Sequence, residues 1–423
     1  MTNKPITIRG SGDATIIDLG ANAISAFDVP FAQAYAFENL QITGSVANLD
    51  RRIVSISAAA RVSLNRITAS NIRRAIEVTG GVGPVINIDT CIWVLLNDPA
   101  SFFIGASAFT TVHAQNVSCV GASGAGGIAG SPVVEFVDLL FTTVNTTAVG
   151  SNSNFTGCSV IGVAGETVTL GTRSKVVGTS FSSVTVVASG SKVEFSSSDF
   201  IGSAGQARVL DVTGAEGPNV TGCTFSGCNS ELVRINGGSL DSVFSGNDFI
   251  DDATASRAID VLAGAFRALI DGNAFRFFDT EAVRIASANC IVTSNTGCKV
   301  VETGTANVNV YANNTGFDPS TIIGAASRIE DNNVVTTGLD TTLTEFYRTV
   351  EVDASGANRT ITLPTAVSAR FRKYTIKKID ATANTVTVDA DGAETIDGAL
   401  TVVLTTQWQS VTVQSNGVSW IIV

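Results

Sequence analysis

The sequence is poor in the residues on which most metal-binding and catalytic chemistry depends. Among 423 residues there is one histidine, His113, with one Met, three Trp and four Tyr. A single imidazole cannot supply the several histidines of most zinc sites, and it makes the common catalytic triads hard to build. We therefore predict no metal site and no cofactor. Any catalysis would fall to carboxylates.

Positive charge and long apolar runs are also scarce. The chain has 26 Lys and Arg against 37 Asp and Glu, a net charge of −11. An acidic chain cannot gain affinity by neutralising phosphates, so a nucleic-acid partner is not predicted. Gly, Ser, Thr or Asn interrupts the apolar stretches well before the roughly 20 residues that span a bilayer, so membrane insertion is not predicted either.

Disulfides are not expected. The seven cysteines are an odd number, scattered from Cys91 to Cys298 without a C-x-x-C pair. This distribution fits buried free thiols in a protein made in a reducing cytosol better than a disulfide framework.

What the sequence does contain is a short repeat. A polar turn residue followed by Phe and β-branched residues recurs about every 22 residues, most clearly at 221–227, 245–249 and 271–275. This period predicts an all-β fold over 1–335, a right-handed parallel β-helix of about 14 rungs stacked ~4.8 Å apart. Asn247, Asn273 and Asn295 predict an internal amide ladder, and the repeating Phe residues predict a stack inside the coil.

After about residue 335 the pattern changes. Alternating strands are separated by the turn signals Asp391-Gly392, Asp397-Gly398 and Asn416-Gly417. These features predict a second, small antiparallel β domain over 340–423, a β-sandwich-like module.

Two parts of the chain carry a family resemblance. The segments 359–365, 373–378, 384–388, 394–398 and 415–420 closely resemble a small β module that ends many bacteriophage tail-fibre, tailspike and other virion proteins. The opening residues 6–12 and 15–18 look like the first rung of pectate-lyase-like β-helices, the fold of many tailspikes.

The resemblance implies a virion protein assembled in the host cytoplasm as a parallel homotrimer. We expect a structural or adhesive spike, fibre or decoration that contacts a receptor or partner, with bacterial surface polysaccharide as one ligand. The alternative is a tailspike depolymerase, a carboxylate-based glycosidase or lyase. The apolar Ile6, Ile8, Ile16, Ile17 and Leu19 of the first rung would have no rung beneath them, which suggests that the N-terminal end docks onto another virion protein.

Five segments, one repeat apart, carry charged residues at two fixed positions. Aligned as parallel strands they read Arg208/Asp211, Glu231/Arg234, Arg257/Asp260, Glu281/Arg284 and Lys299/Glu302. The sign alternates at every step in both columns, so neighbours ~4.8 Å apart attract. We interpret the pattern as a structural ladder. The alternative is a glycosidase face, but cationic neighbours favour the ionised carboxylate, which is unsuited to donating a proton.

Two other clusters invite a functional interpretation. Asp251-Asp252 and Asp279-Thr-Glu281 are the tight acid pairs that glycoside hydrolysis could use, although adjacent acids in a loop more often form a solvated turn. Arg51-Arg52 and Arg73-Arg74 lie 22 residues apart. They could bind an acidic sugar, a phosphate or an acidic partner, or they could be compensated by Asp28, Asp50 and Glu77. His113 is interpreted as a turn residue.

Overall fold

The structure of the protein is a computed structural model. It describes residues 6–11, 15–19, 25–44, 52–80, 83–95, 102–105, 110–120, 128–129, 132–144, 147–162, 165–251, 257–279, 281–303, 308–314, 321–322, 327–329, 334–344 and 347–423. Within these ranges the chain is all-β, with no α-helix and so no helix of the length and apolarity that crossing a bilayer requires.

The chain divides into two compact units. The first comprises Met1–Asn307 and Thr315–Gly324, and the second comprises Val308–Asn314 and Ala325–Val423. The limits predicted from the sequence, 1–335 and 340–423, place this boundary somewhat later.

The first unit is a parallel β-solenoid of about 13 turns, which confirms the predicted fold class. Its strands are β1 (Ile6–Arg9), β2 (Ile16–Leu19), β3 (Ser25–Val29), β4 (Ala34–Gly44), β5 (Arg52–Ile56), β6 (Arg61–Ile72), β7 (Arg74–Val78), β8 (Val85–Asp89), β9 (Ile92–Leu95), β10 (Phe102–Gly105), β11 (Thr111–Gln115), β12 (Ser118–Val120), β13 (Ile128–Ala129), β14 (Val133–Val137), β15 (Leu140–Val144), β16 (Thr147–Ala148), β17 (Asn154–Thr156) and β18 (Ser159–Gly162). They continue as β19 (Thr167–Leu170), β20 (Lys175–Val177), β21 (Ser180–Ser182), β22 (Thr185–Ala188), β23 (Glu194–Ser196), β24 (Asp199–Ile201), β25 (Leu210–Val212), β26 (Asn219–Thr221), β27 (Thr224–Ser226), β28 (Glu231–Ile235), β29 (Val243–Ser245), β30 (Asp248–Ile250), β31 (Arg257–Val261), β32 (Leu269–Asp271), β33 (Ala274–Arg276), β34 (Val283–Ile285), β35 (Ile291–Thr293) and β36 (Val300–Glu302).

Equivalent strands of successive turns pair in parallel and form three rows. The first row contains β1, the start of β4 and of β6, β8, β11, β14, β17, β20, β23, β26, β29, β32 and β35. The second row contains β2, the end of β4 and of β6, β9, β12, β15, β18, β21, β24, β27, β30 and β33. The third row is divided into two sheets, β3-β5-β7-β10-β13 and β16-β19-β22-β25-β28-β31-β34-β36.

A left-handed turn residue separates the first row from the second and explains the sequence repeat. Asn39, Asn116 and Asp138 have φ of 54°, 53° and 52°, and Gly222 and Gly246 occupy the same place with φ of 59° and 64°. Gly, Asn and Asp tolerate this conformation best. The repeats at 221–227, 245–249 and 271–275 therefore each begin one residue before this backbone turn.

Two internal ladders follow this turn, as the sequence predicts. Asn247 Nδ2 donates to Asn273 Oδ1 at 2.9 Å, and Asn273 Nδ2 donates to Asn295 Oδ1 at 3.0 Å. Phe200, Phe225 and Phe249 stack with ring centroids 4.6 and 4.8 Å apart. Because the side chains are buried and parallel, each rung positions the next.

The cysteines are free and buried, as predicted. Burial raises the pKa of Cys91 and Cys119 to about 12, and it raises the pKa of Cys158, Cys223 and Cys290 to about 11. These five thiols therefore stay protonated at neutral pH and fill the coil as small apolar side chains.

Replacing Asn273 by Ala should lower the free energy of unfolding by about 2 kcal/mol. The change leaves the Phe244 carbonyl and the Asn247 amide without their buried partner. Urea unfolding followed by circular dichroism measures the loss. Asn219→Ala, at an exposed position on β26, is the control and should cost less than about 0.5 kcal/mol. Equal losses would show that the buried amides add nothing to stability.

The second unit is a small domain of mixed sheets. Its strands are β37 (Val310–Ala312), β38 (Arg328–Ile329), β39 (Val334–Thr337), β40 (Thr341–Thr342), β41 (Thr349–Val352), β42 (Arg359–Thr362), β43 (Lys373–Lys378), β44 (Val386–Asp389), β45 (Thr401–Leu404), β46 (Ser410–Ser415) and β47 (Trp420–Ile422). The sheets β39-β41-β43-β46-β47 and β40-β42-β44-β45 share one apolar core that includes Ile361, Ile376 and Trp420.

Strand direction in this domain differs in part from the prediction of antiparallel pairs. From β39 to β44 the chain alternates between the two sheets, so neighbouring strands within each sheet run parallel. Only the last three strands add antiparallel pairs, β44/β45, β43/β46 and β46/β47. The turn signals mark where the chain reverses, but they carry no information on which sheet receives the next strand.

Candidate functional site

The charged ladder lies in the third row, where four strands align as predicted. Asp211 is opposite Arg234, Arg234 is opposite Asp260, and Asp260 is opposite Arg284. In the other column Glu231 is opposite Arg257. Opposite charges therefore meet at each of these steps.

The two central acids of the ladder are completely buried. Glu231 is 0% exposed, and its Oε1 lies 2.9 Å from Arg208 Nε and 2.5 Å from Arg234 Nη2. Asp260, also at 0%, is bound by both Nε and Nη2 of Arg284, with Arg257 Nη1 at 3.8 Å. The hydrogen bonds that Arg284 donates to Asp260 raise the pKa of the guanidinium, which therefore stays charged. A fully buried carboxylate between two arginines has its charge compensated within the stack and has no access to a substrate.

The last step of the predicted ladder is wrong. Val301, not Glu302, is opposite Arg284, and Glu302 is opposite Ile285. The register is set by the alternation of inward residues, Cys298, Val300 and Glu302, which are buried while Lys299 and Val301 are not. Lys299 leaves the ladder, and its Nζ donates to the Asp279 carbonyl at 2.6 Å.

The structure gives the candidate catalytic acids different surroundings. Glu281 is bound by Arg257 Nε at 2.5 Å, so it belongs to the ladder. Asp279 is exposed beside it, and Asp251, which follows β30, lies one rung away at the same corner of the coil, between the second and third rows. Asp252 lies outside the described residues.

The arginine pairs are at least partly compensated. Arg52 and Arg74 are opposite each other on β5 and β7, and both contact Glu77, which accepts from Arg74 Nη1 at 2.8 Å. Arg73 is half-buried just before β7, while Arg51 and Asp50 lie outside the described residues. Asp28 accepts a hydrogen bond from Ser25 at 2.6 Å. The carboxylate of Glu77 therefore occupies the position that a bound anion would need.

The structure reveals a groove that the sequence did not predict. It is an open hollow of about 410 Å³ on the outer side of β6, β8, β11 and β14, lined by residues that include Asn65, Asn87, Asp89, His113 and Glu135. His113 is not a turn residue but the centre of β11, which corrects the interpretation from sequence. Its Nδ1 is 2.6 Å from Glu135 Oε2.

The groove contains one histidine–carboxylate pair, the uncharged Asn65 and Asn87, and one further acid, Asp89. His113 lies between Asn87 on β8 and Glu135 on β14, and Asp89 is two residues beyond Asn87. Two rungs of ~4.8 Å and two residues of ~3.3 Å put the Cα atoms of Asp89 and Glu135 roughly 12 Å apart. Asp89 and Glu135 therefore lie on well-separated strands, whereas the histidine–carboxylate pair is in direct contact and could accept a proton. The alternation of apolar and polar residues in Thr111–Gln115 indicates that His113 faces outward. Its partner Glu135 can be identified only from the register between β11 and β14.

A second buried ion pair lies in the small domain. Lys378 is completely buried, and its Nζ donates to Asp380 Oδ1 at 2.5 Å. The Ala354 amide donates to the other oxygen at 2.7 Å, and Thr382 donates from both its amide and its hydroxyl. This cluster joins the segment that follows β41 to the segment that follows β43.

Side-chain clusters suited to a metal ion are absent from the described residues. No protein-family model, curated protein or solved structure matches this chain. The function is therefore inferred from the fold and from the chemistry of the side chains described above.

Proposed function

We propose that the protein is a non-enzymatic attachment component of a bacteriophage virion, a spike, a fibre or a decoration of the particle. The observation that carries this proposal is that acidic side chains of the solenoid are paired with arginines inside the stack. Glu231 and Asp260 are buried against arginines, so charges that could serve catalysis hold successive rungs together. Such stacking favours a stiff, protease-resistant solenoid, which is what a virion attachment protein needs.

The phage setting is supported by the resemblance of the C-terminal module to modules that end virion proteins. In this setting the chain assembles in the host cytoplasm as a parallel homotrimer, and its N-terminal end docks onto another virion protein. Ile6, Ile8 and Ile16, which are exposed on β1 and β2, are the apolar surface available for that contact, whereas Leu19 at the end of β2 is buried. The partner on the host is a bacterial surface polysaccharide.

A second candidate function is a depolymerase that cleaves such a polysaccharide by elimination. The observation that favours it is the groove at His113, whose imidazole contacts Glu135 and could remove a proton from a bound sugar. Asp89, on the other side of the groove, could contact sugar hydroxyls.

Incubation with purified bacterial capsular polysaccharides and lipopolysaccharides distinguishes the two functions. We expect binding, measured by sedimentation with the glycan, without new reducing ends or 4,5-unsaturated products. The matched variants are His113→Ala and Glu135→Gln in the groove, with Glu194→Gln on the same row as control. Cleavage that disappears in the groove variants and persists in the control would replace our proposal by the depolymerase.

A further inference from the structure

One face of the solenoid has no charged side chain over seven successive rungs. We define the uncharged face as the outward residues of the second row from Gln41 on β4, through β6, β9, β12, β15 and β18, to Ser182 on β21. None of these outward residues is Asp, Glu, Lys, Arg or His. Asp18 on β2 and Asp199 on β24 mark its two limits.

The adjacent first row shows that the absence of charged side chains is not a property of the whole solenoid surface. Over the same rungs its outward residues include Glu38, Asp89, His113, Glu135 and Lys175. Depletion of charge in a continuous patch is the compositional mark of an interface core.

The middle of the uncharged face is apolar. Ile92 and Val94 on β9 are 53% and 44% exposed, and Val120, Leu140 and Ile161 follow on the next three rungs. The register places these side chains in two adjacent columns that run along the solenoid. Every rung from β9 to β18 therefore presents at least one exposed apolar side chain, and a contiguous patch of this kind marks an interaction surface.

We propose that the uncharged face is where copies of this chain pack side by side, and the proposal rests on the homotrimer suggested above. Each copy carries a net charge of −11, so copies repel one another wherever acids face each other. At the uncharged face two copies can approach each other without repulsion between acidic side chains. No other surface described above offers the same combination of length, register and absence of charge.

The repeat also favours a copy as the partner. A parallel copy has the same rung spacing of ~4.8 Å, so each apolar layer meets an identical layer at the same height. Around a threefold axis the two columns of one copy would each contact a different neighbour. Ile92, Val120, Leu140 and Ile161 would then lie in successive apolar layers between the three solenoids.

The test changes the charge of the face and measures the mass of the full chain. The variant is Val120→Asp with Ile161→Asp, and the control is Val177→Asp with Ile291→Asp, whose sites are similarly exposed but lie in the first row. By light scattering at micromolar concentration, we expect wild type and control at three times 43.6 kDa. The face variant should fall threefold in mass, with an unchanged circular dichroism spectrum.

The two proposals fail in different ways. A monomeric wild type would overturn the trimer and the face together. A trimeric wild type with a trimeric face variant would leave the trimer and overturn the face. If the double variant does not fold, Leu140→Cys with a short bismaleimide tests the same surface, since the native cysteines are buried. Cross-linked chains are expected there and not with Val177→Cys, and a trimer without cross-links at Leu140→Cys overturns the face.

Discussion

Replacing Asp380 by Ala should lower the free energy of unfolding of the second unit by about 3 to 5 kcal/mol. The change leaves the fully buried ammonium of Lys378 without its counter-ion and removes the acceptor of the Ala354 amide. An uncompensated buried charge is among the most costly defects that a single substitution can create. Denaturant unfolding followed by the fluorescence of Trp420, which is buried in this core, measures the loss.

Two further variants separate the charge from the loss of packing. Lys378→Met combined with Asp380→Ala removes both charges, so it should be more stable than Asp380→Ala alone. Asp353→Ala is the matched control, because Asp353 accepts one amide hydrogen bond from Ser355 without binding a buried cation. If the double variant is the least stable of the three, the ion pair is not what Asp380 contributes.

The same carboxylate should make the second unit sensitive to acid. Burial opposes ionisation of Asp380, but the hydrogen bonds from Lys378, Thr382 and Ala354 outweigh it and lower its pKa well below the ordinary value of 3.8. Because the folded-state pKa is the lower one, the stabilisation is fully present above about pH 4 and is lost as the pH falls further. Thermal melts from pH 7 to pH 2 should therefore show a smaller decrease for Asp380→Ala than for wild type.

The solenoid was predictable because its signals are periodic. A repeat of about 22 residues gives the rung, and alternating signs at Asp211, Arg234, Asp260 and Arg284 give the register of four strands. The last step failed because Glu302 occupies an inward position that an apolar residue normally takes. At this strand the inward placement of Cys298 and Val300 sets the register in place of charge pairing. No residue nearby in the sequence indicates this exception.

Contacts between distant residues were less accessible to sequence reasoning. His113 and Glu135 are 22 residues apart, and nothing local to either reveals the other. Lys378 and Asp380 look like the solvated end of a strand, yet the strand end turns into the core. Both pairs depend on strand register or on how sheets pack, which local propensity and turn signals do not encode.

Substituting Arg234 by Glu should destabilise the solenoid by about 3 to 5 kcal/mol. The new carboxylate would lie between Asp211 and Asp260, one rung away on either side, and it would take from Glu231 one of its two arginine partners. Arg276→Glu is the matched control, because Arg276 pairs with Asp248 on the exposed surface and should cost less than about 1 kcal/mol. Unfolding in urea at low salt measures both variants. The gap between them should persist in high salt, since buried charges are screened far less than exposed ones. Equal midpoints for the two variants would mean that the ladder is solvated and that its charges do not hold the rungs together.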